Sequence, residues 1–154
     1  MSSMNCDNVV SLDDLKRWTE RALARWRRGS VIGLSGELGS GKTALVRQVS
    51  EALCLARGLE RQAVTSPSFV IHQSYAAIEL EHFDLYRLEG VGEPILFDIG
   101  YFDACSKTRG HQGLCFVEWP EKTTSIQVLS LDYLVFIDLG SDGTRRIREQ
   151  DLRA

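Results

Sequence analysis

Long apolar runs are missing from this chain of 154 residues. The longest of them, such as "YLVFI", fall far short of the ~20 apolar residues that a membrane-spanning helix needs. The first residues, "MSSMNCDNVVSLDD", also lack the basic segment and the apolar segment of a secretory signal peptide. We therefore expect a cytoplasmic protein with no membrane partner.

Cysteine is scarce as well, and no two cysteines form a Cys-x-x-Cys pair. The four cysteines are Cys6, Cys54, Cys105 and Cys115. This wide spacing favours free thiols in a reducing compartment over a disulfide framework or a zinc site. The three histidines (His72, His82 and His111) have no metal-ligand spacing either, so we expect them to be structural or solvated.

Charge of one sign does not dominate, because the net charge is −3 and both signs are mixed along the chain. This balance argues against a large nucleic-acid-binding face and leaves room for a small basic patch. Repeats, low-complexity tracts and linkers are absent from the sequence. A 44% hydrophobic chain of this length predicts one domain, 1–154, in which residues 1–10 form a flexible N-terminus.

Helices alternate with strands in the first half of the chain, and hairpins follow in the second half. The first elements are a helix from the Ser11 cap to Gly29, a buried strand at 31–35 and a helix from Thr43 to Gly58. Later predictions are strands at 68–75, 78–86 and 114–119, a helix at 93–104, a loop at 109–113 and two strands around the "SDG" turn. This order predicts an α/β fold with a mixed parallel and antiparallel sheet flanked by helices.

The segment "GELGSGKT" (36–43) lies between a predicted strand and a predicted helix and matches G-x-x-x-x-G-K-[ST] in full. Glycines let backbone N–H groups converge on phosphate oxygens, and the following helix directs its positive end at the same anion. Lys42 adds a charge for the β- and γ-phosphates, and the Thr43 hydroxyl is a Mg²⁺ ligand. A glycine-rich turn that contains lysine by chance is the alternative. The predicted nucleotide-binding residues here are Gly36, Glu37, Leu38, Gly39, Ser40, Gly41, Lys42, Thr43 and Ala44.

Adenine is the expected base, by elimination. The sequence contains neither the Asn/Thr-Lys-x-Asp motif that reads guanine nor the Asp-x-x-Gly switch motif of GTPases, and it has no LSGGQ signature. We therefore expect ATP, with Mg²⁺, as the ligand of the loop.

Two acids lie near the ends of predicted strands, where a magnesium nucleotide site needs a carboxylate. Asp84 lies in "HFDLYRL", and Glu118 lies in "CFVEWPEK" before the strand-ending Pro120. Either acid can hold the metal or orient the attacking water, and the alternative for each is a surface acid or a structural hydrogen-bond acceptor. In "VTSPSF", the hydroxyls of Ser66 and Ser68 can reach Mg²⁺ or the γ-phosphate as a switch, or the segment is a simple turn into a strand.

Four blocks in this order and at these spacings, "GELGSGKTALV", "VTSPSF", "HFDLYRL" and "FVEWPEK", resemble the TsaE (YjeE) family. This family is the bacterial ATPase of tRNA threonylcarbamoyladenosine biosynthesis, and the resemblance covers about residues 12–148. It implies a single P-loop NTPase-like domain with a small mixed sheet. It also implies partners, the TsaD and TsaB proteins, which attach threonylcarbamoyl to the adenosine beside the anticodon. The protein would bind and hydrolyse ATP so that this complex can turn over, and it would meet tRNA only through the complex.

The resemblance also implies roles for single residues. It makes Asp84 the Walker-B-like acid and places Ser66 and Ser68 in a switch-like turn. It expects Glu118, together with Thr43, to bind Mg²⁺ directly or through water. The predicted catalytic residues are Lys42, Asp84 and Glu118.

Further positions carry an alternative or have no assigned role. Arg145 or Arg146 matches a late basic position near the nucleotide, and Arg145 is taken as the binding residue. Trp119 matches the tryptophan beside the acid, and core packing is the alternative to a role in the site. No threonine precedes Thr19 in the first helix, where the family has one near adenine, so the adenine contact is unassigned. His82, two residues before Asp84, is close enough to influence the site.

Two other functions remain open on sequence alone. A small-molecule kinase also begins with strand, phosphate loop and helix, but the hairpin-rich second half offers no obvious arginine-bearing lid. A nucleotide-gated interaction module with negligible turnover would use the same residues as an ATPase.

Overall fold

A seven-stranded mixed sheet runs through the structure, a computed structural model that describes residues 4–153. Its strands follow the order β1-β7-β6-β2-β5-β4-β3. The strands are β1 (Met4–Val9), β2 (Ser30–Gly36), β3 (His72–Tyr75), β4 (Leu80–Asp84), β5 (Leu114–Glu118), β6 (Tyr133–Leu139) and β7 (Arg145–Asp151). The helices are α1 (Leu12–Arg25), α2 (Lys42–Ala56), α3 (Glu93–Asp98) and α4 (Tyr101–His111). The predicted α/β fold with a mixed sheet flanked by helices is confirmed.

The centre of the sheet is parallel, and its margins are antiparallel. β4, β5, β2 and β6 pair in parallel, whereas β3, β7 and β1 join by antiparallel pairing. The carboxyl ends of the four parallel strands therefore meet at one edge of the sheet, which is where open α/β sheets bind ligands. The ends of β2, β4 and β5 carry the three sequence blocks that predict a nucleotide site.

Two apolar clusters cover the two faces of the sheet, because alternate strand residues point to opposite sides. On one face, α1 and α2 contribute Trp18, Val46 and Val49 to a cluster with inward residues of the central strands. On the other face, α3 and α4 contribute Leu96 and Tyr101. The result is a three-layer arrangement of helices, sheet and helices, in which α2 lies over the central strands. Within residues 4–153, none of the helices has the length and apolar character to cross a bilayer.

The ends of α1 follow the local sequence signals. The Ser11 hydroxyl accepts a hydrogen bond from the Asp14 N–H at 3.1 Å, as the capping pattern predicts. The helix itself ends at Arg25, four residues before the predicted stop at Gly29, because Trp26 has extended backbone angles. The four cysteines are free thiols.

The prediction of a flexible N-terminus is wrong for residues 4–9. These residues form β1, which pairs antiparallel with β7 from Met4 opposite Gln150 to Val9 opposite Arg145. The alternation of apolar and polar residues in "MNCDNV" is short and breaks at Asn8, and Val9 alone is buried in this strand, so the sequence pattern is weak and pairing with the edge of β7 defines β1. Residues 1–3 lie outside the described part of the chain.

The second half differs from its prediction at three places. Residues 68–71 form a turn instead of strand, because Pro67 O accepts the N–H groups of Val70 at 3.1 Å and Ile71 at 2.5 Å. The helix predicted at 93–104 is two helices, which Gly100 separates with φ 78°. The predicted loop at 109–113 is partly helical, since α4 continues to His111.

Candidate active site

The segment 36–43 forms a loop between β2 and α2, and its backbone requires glycine at defined points. Gly39 and Gly41 have φ values of 79° and 112°, in the left-handed region that side chains disfavour. A Cβ on Gly36 would lie 2.5 Å from both Ile137 O and Ser40 Oγ. The bare backbone of the loop is therefore a steric necessity of this fold.

The first turn of α2 is open to an anion. The helix begins at Lys42 after Gly41, and no side chain caps it. The first N–H groups of an α-helix have no partner within the helix, and they lie at its positive end. Beside them, the buried Ser40 hydroxyl has no hydrogen-bond partner within residues 4–153. The N–H groups point to the space that a phosphate group would fill, whereas the Ser40 hydroxyl is packed against Gly36.

Lys42 is a buried cation without an anionic partner. It is 6% exposed, and its Nζ donates to Gly36 O at 2.6 Å and to Glu37 O at 3.0 Å. The same Nζ lies 4.2 Å from the centre of the Trp119 ring. Among the described residues, Lys42 makes no ion pair within 4.0 Å. Burial lowers the pKa of Lys42, and the more distant carboxylates of Glu118, Glu121 and Asp84 oppose that shift.

Asp84 and Glu118 are adjacent across β4 and β5, at the same level of the sheet. They are 3% and 2% exposed. Glu118 Oε1 accepts from the Thr43 hydroxyl at 2.8 Å, and Asp84 Oδ2 accepts from the Ser66 hydroxyl at 3.0 Å. The Tyr86 N–H donates to Asp84 Oδ1 at 2.9 Å. The two acids thus connect the phosphate loop to the turn that carries Ser66.

The pKa values of the two acids move in opposite directions. Burial raises the pKa of Asp84, and the neighbouring Glu118 charge adds to this effect against the hydrogen bonds from Tyr86 and Ser66. Burial also acts to raise the pKa of Glu118, but the His82 imidazole and the Thr43 hydroxyl outweigh it, and the pKa is lowered. Glu118 is therefore the more readily ionised acid of the pair.

These groups line a cavity of about 160 Å³ at the carboxyl edge of the sheet. Its lining residues are Leu38, Gly39, Gly41, Lys42, Thr43, Ser66, Asp84, Glu118 and Trp119. Gly36 and Glu37 lie on the other side of the loop, in a cavity of about 430 Å³ that also contains Glu121 and Asp138. Ser68 is half-buried and does not line either of these two cavities.

The side chains of Arg145 and Arg146 point to opposite faces of β7. Arg145 Nε donates to Ser40 O at 2.6 Å and would lie 3.2 Å from a Cβ placed on Gly41. Arg146 Nε lies instead 2.9 Å from Cys6 Sγ on β1. Successive residues of a strand point to opposite faces, so only Arg145 reaches the phosphate loop.

Trp119 belongs to the lining of the site and does not serve the core alone. It has φ 60°, its N–H donates to Leu34 O at 3.1 Å, and its ring lies 5.0 Å from the Tyr86 ring. Its ring forms one wall beside Lys42 Nζ. The sequence interpretation missed Tyr86 and Glu121, although both follow the predicted acids within three residues along the chain.

Known proteins are similar to this chain in sequence and in architecture. The model of the family "Threonylcarbamoyl adenosine biosynthesis protein TsaE" matches residues 9–147. The tRNA threonylcarbamoyladenosine biosynthesis protein TsaE of Treponema pallidum is 34% identical over 140 residues, which are 89% of this chain and 93% of that protein. The protein of the same name from Bacillus subtilis is 33% identical over 113 residues, 72% of this chain and 63% of that one.

A solved structure shares the fold. The crystal structure of YdiB from Bacillus subtilis superposes with a TM-score of 0.70 and 24% identity, and the match covers 99% of this chain and 88% of that one. At this identity the likeness speaks for the fold alone. The family match over most of the length and the Treponema relative decide the identity: this chain belongs to the TsaE family, the family of tRNA threonylcarbamoyladenosine biosynthesis.

Proposed function

We infer that this chain is a cytoplasmic, Mg²⁺-dependent ATPase that supports a complex of TsaD and TsaB proteins in forming threonylcarbamoyladenosine beside the tRNA anticodon. The surroundings of Lys42 are the main support for nucleotide binding in this proposal. Lys42 is 6% exposed, begins a helix without a side-chain cap and has no ion pair among residues 4–153, and this combination favours an anion beside it. A polyphosphate supplies that anion at the place where the loop leaves room for it.

The donor set also fits a magnesium ion. Thr43 Oγ1 and Glu118 Oε1 lie 2.8 Å apart, and Asp84 is the neighbour of Glu118 in the sheet. Oxygen ligands of this kind, with only one or two carboxylates, are typical of magnesium held together with nucleotide phosphates. We assign Thr43 and Glu118 to the metal. When bound, Mg²⁺ would supply positive charge to the β- and γ-phosphate oxygens.

Each residue then has a physical task. The N–H groups of Gly39 and of residues 41–44 bind phosphate oxygens together with Lys42 Nζ, and Arg145 holds the loop by its contact with Ser40 O. Asp84 orients water next to the γ-phosphate, and its hydrogen bond from Ser66 couples this acid to the segment that leads into the turn at 68–71. Trp119 keeps solvent away from Lys42 on one side.

The proposed interaction with TsaD and TsaB rests on membership of the family and on one surface feature. Phe69 and Val70 are 80% and 62% exposed, and they lie in the turn that begins at Pro67, directly after Ser66. Large apolar residues on a turn attached to the nucleotide site suit a partner that recognises the ATP-bound form.

The test measures ATP turnover and partner binding by the whole chain, alone and with a TsaD–TsaB pair, in ATP, in ADP and without nucleotide. We expect slow hydrolysis by the chain alone, faster hydrolysis in the complex and strongest binding to the pair in ATP. An arginine supplied by a partner accelerates other P-loop enzymes by ~10³–10⁵. Equal binding in all three states without stimulation would overturn the partner role, and phosphoryl transfer to a metabolite in an acceptor screen would indicate a kinase.

A further inference from the structure

His82 is a fully buried imidazole to which the proposed function gives no task. Its side chain is 0% exposed, and neither Nδ1 nor Nε2 has a hydrogen-bond partner within residues 4–153. Buried polar groups are nearly always hydrogen-bonded, and one without a partner calls for an explanation in terms of function or an additional bound group. Burial of His82 without hydrogen bonds therefore lowers the stability of the fold relative to an apolar residue at the same position.

The ring is directed at the candidate metal ligand. His82 precedes Asp84 by two residues on β4, so both side chains point to the same face of the sheet, towards α2. Glu118 lies on the same face of β5, and His82 Nε2 is 3.7 Å from Glu118 Oε2. The other oxygen, Oε1, accepts from Thr43 at 2.8 Å. The Glu118 carboxylate thus lies between a hydroxyl on one side and an imidazole on the other.

The other face of the same strand provides a contrast. There, His72 Nε2 and Glu81 Oε2 are 2.6 Å apart, and the His72 ring stacks on Phe83 with ring centres separated by 4.2 Å. That imidazole is partly exposed and has a satisfied nitrogen, so local stability explains it. His82 has neither a stacking ring within the described residues nor a contact of that length.

We propose that His82 is a positioning residue for Glu118, whose Nε2–H donates to Oε2 when the site closes on nucleotide. The contact needs to shorten from 3.7 Å to the ~2.9 Å of an N–H···O hydrogen bond. Fixing Oε2 in this way leaves Oε1 directed at the Thr43 side, where the metal ligands converge. A partner behind a metal-binding carboxylate typically changes metal affinity or activity by about 10–100-fold when it is removed. This inference rests on the proposed magnesium site.

The experiment compares His82→Phe, which keeps a ring and loses the donor, with His82→Gln, which keeps an N–H donor. For each variant, ATP binding is measured calorimetrically with Mg²⁺ and with a chelator, and turnover is titrated with Mg²⁺. We expect His82→Phe to need about 10–100-fold more Mg²⁺ and to bind ATP without metal as the wild type does. His82→Gln should recover part of the loss. The matched control, His72→Phe, should give the wild-type Mg²⁺ dependence.

A double variant separates positioning from packing. In the background of Glu118→Gln, His82→Phe should cost little further in turnover, because the two residues act through one carboxylate. A wild-type Mg²⁺ requirement in His82→Phe, or fully additive losses in the double variant, would overturn the inference. A wild type whose ATP binding does not respond to Mg²⁺ would instead refute the proposed metal site.

A spectroscopic measurement covers the case in which His82→Phe does not fold. Imidazole ¹H–¹⁵N correlations of the wild type with ADP and Mg²⁺ should show His82 protonated at Nε2, with a shift that changes in Glu118→Gln. A proton on Nδ1 alone, or an Nε2 resonance that does not respond to Glu118→Gln, would contradict the proposal.

Discussion

The Thr43 hydroxyl donates to Glu118 Oε1 at 2.8 Å and so connects the first turn of α2 to the end of β5. These two residues are 75 positions apart in the chain. Both are ligands that magnesium accepts, and the hydrogen bond between them holds the two oxygens close together. Glu118 is therefore the acceptor of the Thr43 hydroxyl and, in the proposed function, a metal ligand.

The first prediction concerns Lys42. Lys42→Ala should abolish ATP turnover and weaken ATP binding, because the loop loses its only buried cation among the described residues. The fold should survive, since Lys42 makes hydrogen bonds to two carbonyl oxygens and, within residues 4–153, no ion pair. Calorimetric ATP binding and a thermal unfolding scan measure the two effects, with the exposed Lys16→Ala as a control. Unchanged turnover in Lys42→Ala would remove the phosphate-loop interpretation.

The second prediction separates the two acids in the presence of Mg²⁺. Glu118→Gln keeps the shape of the side chain and removes its charge, so we expect turnover to fall on the order of 10²-fold or more with a much smaller loss of ATP binding. Asp84→Asn should reduce turnover less. Steady-state kinetics over a Mg²⁺ series give both values. A crippled Asp84→Asn beside a normal Glu118→Gln would mean that the two roles are reversed.

The third prediction concerns stability against pH without metal. The raised pKa of Asp84 means that the folded state binds its proton more tightly than the unfolded state, so stability is lost as the pH rises through the raised value. The lowered pKa of Glu118 has the opposite effect, since its stability is present above the ordinary pKa and is lost as the pH falls through the lowered one. At pH 7, Asp84→Asn should therefore raise the unfolding midpoint and Glu118→Gln should lower it.

Denaturation scans between pH 3 and pH 8 in a chelator check this pair of signs. The gain in Asp84→Asn should shrink towards the acid end, where the wild-type carboxyl is protonated too. If both substitutions moved the unfolding midpoint in the same direction at pH 7, the opposite pKa shifts of Asp84 and Glu118 would be contradicted.

The fourth prediction uses the neighbouring arginines of β7. Arg145→Ala should weaken ATP binding about 10-fold, because a hydrogen bond from a charged group is worth ~1.5–3 kcal/mol and here it fixes Ser40 O in the loop. Arg146→Ala is the matched control, since Arg146 contacts Cys6 on the far side of the strand. Equal effects of the two substitutions on ATP binding would argue for a general charge effect instead of a contact with the loop.

The fifth prediction is a preference for ATP over GTP. No motif that reads guanine occurs in the sequence. Competition binding with both nucleotides measures the preference directly. Equal or tighter binding of GTP would contradict it.

Local sequence patterns predicted the parts of the site that depend on neighbouring residues. The spacing of Gly36, Gly41 and Lys42 predicts the loop, and an acid at the end of a predicted strand indicates the positions of Asp84 and Glu118. Parallel pairing then places the two acids side by side, because β4 and β5 end at the same edge.

Other features depend on contacts that local patterns do not contain. The hydrogen bond from Arg145 to Ser40 spans 105 residues, and the choice between Arg145 and Arg146 follows from the register of β7. The strand β1 exists because β7 has a free edge, and the turn at 68–71 overrides a sequence rich in strand-forming residues. The approach of His82 to Glu118 likewise requires the pairing of β4 with β5.

The most direct measurement is a calorimetric titration of ATP into the wild-type protein, once with Mg²⁺ and once with a chelator. The account predicts saturable binding of one ATP per chain that is tighter with Mg²⁺ and is lost or greatly weakened in Lys42→Ala. Absence of ATP binding by the folded wild type, or binding that neither Mg²⁺ nor Lys42→Ala changes, would contradict it.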